Sequence, residues 1–435
     1  MITKMHLGNF KSWKELDIQL APITLLFGTN SSGKSSILQA LLLLKQTANS
    51  FDRDQHINLG GSDRDYFDFG SYRDLVFNHN EKTKVEVGLY WLPIATSIAG
   101  TLHYQVNWFR SSDTVRISEM RYELLEAPYS FVNAKYKNDQ QYSYDFGDKK
   151  SSRTTHDLRP PISCYGIPYR DLYRNSIPIT LLQSFFLESD FQFENLINSA
   201  FYLAPLRAYP QRSYPWTGNS PQTITPSGEN AIVALIASEW RGDNLLANVA
   251  QWLKNMGIVS EFDVEALDPD KRFYETKVKT RGEETYSSLS DAGFGVSQVL
   301  PIITMLFFVP EGSIVLLEQP ELHLHPSAQA VLTDLFLHVA ETRKLQLIIE
   351  SHSEHILARL QRRIAEADYK FATPERVKMY FCQPGENGST IQPVEIDKYG
   401  QISNWPDNFF GDISGDLDAM TQAGLAQRRR ELTGG

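Results

Sequence analysis

Gly28-Thr29-Asn30-Ser31-Ser32-Gly33-Lys34-Ser35 follows the spacing G-x-x-x-x-G-K-[ST]. Those residue types make a phosphate cradle. Gly28 and Gly33 let the backbone curl with its N–H groups facing inward. Lys34 is placed to reach β- and γ-phosphates, and Ser35 to present its hydroxyl to Mg²⁺. Far downstream, Ile314-Val-Leu-Leu-Glu318 is an apolar run ending in a carboxylate, the usual second half of a nucleotide site. The two segments complete each other and point to a nucleoside triphosphate with Mg²⁺. The next residue is Gln319, where hydrolytic sites of this type normally carry a glutamate.

Two further segments carry chemistry. Ser290-Asp-Ala-Gly-Phe-Gly-Val-Ser-Gln298 is a Gly/Ser turn opening a helical pattern, and Leu347-Ile-Ile-Glu-Ser-His352 is a strand ending in a histidine. Glu321, His323 and His325 stand at alternating positions that a metal could use. Directly after a strand they read instead as a contact loop.

The elements around these residues are legible. Residues 23–27 form a β-rich run and 36–45 a strongly helical one, so the glycine loop sits between a strand and a helix N-terminus. Residues 2–7, 16–20, 85–91, 100–109 and 116–125 read as strands, and 127–174 show no period. Residues 179–202, 229–239 and 243–256 read as helices, with Asp243 as a cap. After strands at 262–267 and 274–279, helix and strand alternate to residue 382, arguing for a mostly parallel sheet with covering helices. No internal repeat and no sustained heptad is present in the sequence.

The 435 residues carry a net charge of −10, with 42% hydrophobic residues. That is enough chain for a large core in two lobes. An acidic chain is not coated for non-specific nucleic-acid binding, so DNA or RNA contact would need a local basic patch such as Lys277–Arg281 or Arg359–Arg363. No stretch reads as a signal peptide or membrane span, and two cysteines, Cys164 and Cys382, make no disulfide framework. The expectation is a cytoplasmic protein without a membrane partner.

In their order, these motifs resemble an ABC-type ATPase head of the SMC/RecF/OLD-like group of bacterial AAA ATPases. The resemblance rests on Asn9-Phe-Lys-Ser-Trp13, the phosphate loop, Glu318-Gln-Pro-Glu-Leu-His-Leu-His-Pro326 and Glu350-Ser-His-Ser-Glu-His-Ile-Leu357. Tyr202-Leu-Ala-Pro-Leu-Arg207 and a tail at 399–410 add to it. It implies an α/β fold: a P-loop NTPase head with a mixed sheet, an antiparallel β subdomain and an inserted α+β lobe. The expected division is 1–94 and 262–435 for the two halves of the head, with 95–261 inserted.

The resemblance also implies a head-to-head dimer. ATP would lie between Gly28, Asn30, Ser31, Ser32, Gly33, Lys34, Ser35 and Ser36 of one copy and Gly295 and Ser297 of the other. Ser35 and Glu318 would hold Mg²⁺. Gln319 would orient water without accepting a proton, as glutamine does in small GTPases; His352 would sense the γ-phosphate, Asn30 would aid the water, and Glu321 or Glu350 would serve as substitute base. Lys11 or Trp13 would approach the nucleotide, and Arg207 an effector or phosphate. Slow turnover follows. The same group points to a switch or scaffold for a separately encoded nuclease in anti-phage systems of the Septu kind. The alternatives are a RecF-like DNA-binding repair ATPase and, less favoured, a transporter head.

Overall fold

The computed structural model describes residues 1–62, 65–92, 101–111, 114–125, 129–148, 153–168, 171, 182–280, 282, 284–366, 370–406, 409, 419–425 and 428. In chain order the strands are β1 (Ile2–Phe10), β2 (Trp13–Gln19), β3 (Ile23–Gly28), β4 (Val85–Trp91), β5 (Leu102–Ser111) and β6 (Thr114–Leu124). Next come β7 (Tyr129–Asn138), β8 (Gln141–Asp148), β9 (Arg153–Leu158), β10 (Ala200–Leu203), β11 (Tyr214–Pro215) and β12 (Glu261–Ala266). The last are β13 (Phe273–Lys279), β14 (Ser287–Ser288), β15 (Ile314–Glu318), β16 (Gln346–Glu350), β17 (Val377–Gly385) and β18 (Gly388–Pro393).

A six-stranded sheet in the order β10-β15-β16-β3-β17-β18 carries the motifs. Its strands are parallel except β18, which pairs antiparallel with β17. β3, β15 and β16 are buried along their whole length, as strands covered on both faces must be. Successive side chains divide between the two faces. Ile314, Leu316, Ile348 and Leu26 join one hydrophobic cluster, with the helix Lys34–Ala48. Val315, Leu317, Leu347 and Ile349 join the other, with the helices Ala231–Arg241, Leu245–Asn255, Phe294–Phe308, Pro326–Thr342 and Glu354–Ala365. This is the period-two alternation of a pleated strand applied to a two-sided core.

A second, eight-stranded antiparallel sheet has the order β2-β1-β4-β5-β6-β7-β8-β9. β4 pairs directly with β5, so the sheet runs unbroken across the expected boundary at residue 95. β10, inside 95–261, joins the nucleotide sheet beside β15. The middle of the chain therefore extends both sheets of the head instead of forming a body apart. A small sheet of β11 to β14 completes the described strands.

Two local expectations change. Residues 127–174, read as aperiodic, contain β7, β8 and β9. Their inward residues include Tyr142 and Tyr144, whose hydroxyls donate to the carbonyls of Ile117 and Arg159. Tyrosine mutes the hydropathy contrast that marks a half-buried strand. Residues 179–202, read as one helix, give the helix Leu182–Asn198 and then β10, because Ala200–Leu203 finds a strand edge at β15.

Buried Gln346 ties the two large sheets together. Its Oε1 accepts from Ile2 N–H at 2.8 Å, and its Nε2 donates to the carbonyls of Ile2 at 2.7 Å and Ala21 at 3.2 Å. Gln346→Leu would take away the Ile2 N–H and carbonyl partner in the core, a cost of roughly 2 kcal/mol or more. Urea denaturation is expected to show an earlier midpoint with an unchanged slope; an unmoved midpoint would contradict the linkage.

Candidate functional site

The sheet order brings the motifs to one edge. Glu318 and Glu350 end adjacent parallel strands and are direct register partners. Glu350 is in turn level with Leu26 of β3, just before the phosphate loop. Ligands of open α/β sheets bind at this carboxyl edge. A cleft of about 450 Å³ opens there. Its walls include Asn30, Ser31, Ser32, Lys34, Ser35 and Ser36 of the loop and helix. Lys11, Gln39, Gln319 and Glu350 face them.

The loop is held in shape by its glycines and by the β1–β2 hairpin. Gly33 has φ +87°, and a Cβ there would meet Ser12 Oγ at 2.4 Å and Trp13 Nε1 at 2.8 Å. Gly28 has φ +140°, and its Cβ would strike the Cys382 carbonyl at 2.0 Å. Only glycine fits such close backbone approach. Trp13, expected near the nucleotide, is fully buried, and its Nε1 donates to Gly33 O at 2.9 Å. It braces the loop from below. Lys11 does line the cleft; its Nζ donates to Gln39 Oε1 at 2.7 Å and lies over the Phe67 and Phe69 rings. Burial lowers its pKa to about 8.

Lys34 is 3% exposed. Its Nζ donates to the carbonyls of Gly28 at 3.1 Å and Thr29 at 2.7 Å, and lies 3.8 Å from Glu350. Ser35 Oγ donates to Glu350 Oε2 at 2.7 Å. The sequence reading paired Ser35 with Glu318; the hydrogen bond in the structure is to Glu350. Glu318 does not line the cleft, and its Oε1 accepts from the Tyr202 hydroxyl at 3.0 Å. Burial, and then the neighbouring Glu350 charge, raise the Glu318 pKa to about 7. Glu350 is also raised by burial, opposed by the Ser35 hydrogen bond and Lys34. Two adjacent carboxylates and a hydroxyl are a hard-oxygen donor set that fits Mg²⁺.

Gln319 faces the cleft from a left-handed backbone, φ +44°. Its N–H donates to Glu350 O at 2.8 Å. Glu321, a candidate base, is 7% exposed, and its Oε1 accepts from His352 N–H at 2.6 Å. It ties the loop after β15 to the loop after β16. His352 is exposed just past β16 and does not line the cleft; desolvation and then Lys34 hold it below its ordinary pKa. Glu321, His323 and His325 diverge. His323 packs edge-on against Phe294, and His325 caps the helix Pro326–Thr342 through its Nδ1. No metal-holding group of three or more His, Cys, Asp or Glu occurs among the described residues.

The Gly/Ser turn stands apart from the cleft walls. Ser297, expected to reach a second copy's phosphate, is 5% exposed, and its Oγ donates to Phe294 O at 2.7 Å. That hydroxyl is taken up inside its own helix. Asp291, Gly293 and Phe294 are exposed on the turn, while Gly295 lies against His323 O, where a Cβ would sit 3.1 Å away. Arg207, read as an effector or phosphate contact, is instead 6% exposed, with Nη2 donating to Glu318 O at 3.2 Å. Tyr202 and Arg207 are site residues whose places depend on β10 pairing with β15, and the only trace in the sequence is their shared short motif.

Fold and site together define a nucleotide-binding α/β domain with a phosphate loop. The chain belongs to the AAA ATPase domain family, whose model matches residues 1–160 and 229–357. A family of unknown function (DUF3696) matches residues 373–420. A 41-residue stretch is 46% identical to the DNA replication and repair protein RecF of Corynebacterium jeikeium, covering 9% of this chain and 10% of that protein. Among solved structures, the Smc head bound to the C-winged helix domain of ScpA superposes with a TM-score of 0.48 at 14% identity, covering 91% of this chain and 98% of that one. The SMC head domain from Thermotoga maritima gives 0.38 at 12% identity, covering 91% and 99%.

The raised Glu318 pKa has a consequence for stability. Between its ordinary value of 4.5 and about 7, the folded chain keeps a proton that the unfolded chain has released. Stability therefore falls as pH rises through that window and stays reduced above it. Glu318→Gln keeps an acceptor for Tyr202 and removes the titration. Without nucleotide or metal, the variant is expected to be more stable than the parent at pH 8 by on the order of 1–3 kcal/mol, with the gap closing toward pH 5. Parallel melting curves at both pH values would contradict the assignment.

Proposed function

We propose that this chain is an ATP-binding, slowly hydrolysing ATPase that works as a nucleotide-dependent dimeric switch for a separately encoded effector. The observation that carries the reading is the cleft itself: Lys34, Ser35 and Glu350 in mutual contact beside Gln319. Loop amides and Lys34 bind the β- and γ-phosphates. Ser35, Glu350 and Glu318 hold Mg²⁺, which supplies charge neutralisation on the phosphates. Gln319, with help from Asn30, orients the attacking water but takes no proton, and His352 reads the γ-phosphate. Glu350 is bonded to Ser35 and assigned to the cation, and Glu321 is bonded to the His352 N–H, so neither is free as a substitute base and turnover is slow.

The cross-dimer contact is assigned to the turn backbone at Gly293–Gly295 in place of the Ser297 hydroxyl, because Ser297 is bonded inward. The effector reading, a nuclease partner in bacterial anti-phage defence, rests on the sequence resemblance set out above. A RecF-like role on DNA is the second reading, favoured by the short RecF identity. Steep, salt-sensitive stimulation of turnover by DNA would select it.

Gln319→Glu restores a proton acceptor and is expected to raise kcat by about tenfold or more, given that a general base is worth roughly 10²–10⁴. An unchanged kcat would remove Gln319 from the catalytic assignment. For the dimer, Gly293 is the appropriate probe, since a Cβ there meets nothing within 4 Å and the fold tolerates a side chain. Lys34→Ala and Gly293→Arg are each expected to be inactive alone. Mixed, they leave one intact composite pocket and recover measurable turnover; no recovery at any ratio would contradict the shared site.

A further inference from the structure

The Glu318–Gln319 peptide is held from both sides. Its N–H donates to Glu350 O at 2.8 Å, toward β16. Its C=O therefore points the opposite way, toward β10. There the ladder has already ended, because the last register pair of β10 and β15 is Leu203 with Leu317. Arg207, on the segment leaving β10, fills the gap with its Nη2 at 3.2 Å from that carbonyl.

This is an expensive way to satisfy one carbonyl. Arg207 is 6% exposed, and its Nε and Nη1 are buried without a partner. Burial lowers its pKa to about 10, with Glu321 opposing. A neutral side chain would avoid the desolvation of a guanidinium, whose orphaned donors each carry a cost. The peptide that Arg207 grips precedes Gln319, whose φ of +44° is a strained backbone for a residue with a side chain. The same segment also holds the Glu318 carboxyl through Tyr202.

We infer that Arg207 is a positioning residue for hydrolysis: by gripping the Glu318 carbonyl it sets the rotation of the Glu318–Gln319 peptide and so aims Gln319 into the cleft. The inference rests on the ATPase reading above and concerns the catalytic step alone. Arg207 does not line the cleft, and the Glu318 carboxyl keeps its own hydrogen bond from Tyr202 without it, so ATP binding does not depend on Arg207.

The test is Arg207→Met, with Arg207→Lys beside it, assayed for Mg-ATP affinity and steady-state turnover against the parent and Lys34→Ala. Arg207→Met removes the desolvated charge but leaves the Glu318 carbonyl without its donor and Glu321 without its counter-charge, so a lower melting temperature is expected and kcat is compared on the folded protein. Its ATP affinity is expected within twofold of the parent, with kcat lower by about tenfold or more. Arg207→Lys keeps one donor and is expected to recover part of that loss. Added guanidinium at millimolar concentration should raise kcat of Arg207→Ala, whose truncated side chain leaves room for it, and leave the parent unchanged. Parental kcat in Arg207→Met would overturn the inference while leaving the ATPase reading intact. Should Arg207→Met fail to fold, a kcat loss in folded Arg207→Lys at unchanged affinity supports the inference, and parental kcat there overturns it. A parent chain that neither binds nor hydrolyses ATP overturns both.

Discussion

Two carboxylates that repel each other sit at the centre of this structure. The parallel register of β15 and β16 places Glu318 beside Glu350, in a setting buried enough to raise both pKa values. No sheet would place two acids there for stability. The surrounding groups answer that repulsion one by one: Lys34 and Ser35 on Glu350, Tyr202 on Glu318. What these contacts leave uncompensated is the charge that a divalent cation would neutralise.

The rest of the head is built to deliver those groups to one edge. β3 must lie beside β16 for the loop after Gly28 to face Glu350. The β1–β2 hairpin must reach the loop so that Trp13 can hold Gly33 and Lys11 can stand at the cleft. The loops after β15 and β16 are tied to each other through Gln319 N–H and Glu321. At its far end the loop after β15 touches the Gly/Ser turn through His323 and Phe294. A single short segment thus spans the distance from the cleft to the turn that would face a second copy.

The strand, loop and helix around the cleft are legible in the sequence because each is local. Gly28 to Ser35 announces its own geometry, and β15 and β16 are apolar runs whose ends are marked by glutamates. The partners were less so. That Ser35 meets Glu350 and not Glu318 depends on β16 lying between β15 and β3, a long-range order that no window of sequence contains. Ser297 has a type suited to phosphate contact, yet one helical turn is enough to direct its hydroxyl back to Phe294. Tyr202 falls in a stretch whose pattern suggests a helix, and the resemblance puts Arg207 near a ligand; both actual places follow from β10 finding the edge of β15. The strands β7 to β9 were hidden by tyrosines that bury their rings and still satisfy their hydroxyls.

The account stands on the claim that the Glu318–Glu350 pair is completed by a divalent cation bound together with ATP. Calorimetric titration of ATP into the intact protein, with Mg²⁺ and with excess chelator, tests this most directly when repeated on the Glu318→Gln, Glu350→Gln double variant. The account predicts tight binding by the parent with Mg²⁺, binding weakened by about an order of magnitude or more without it, and no dependence on Mg²⁺ in the variant. Equal affinity of the parent for ATP with and without Mg²⁺ would contradict it.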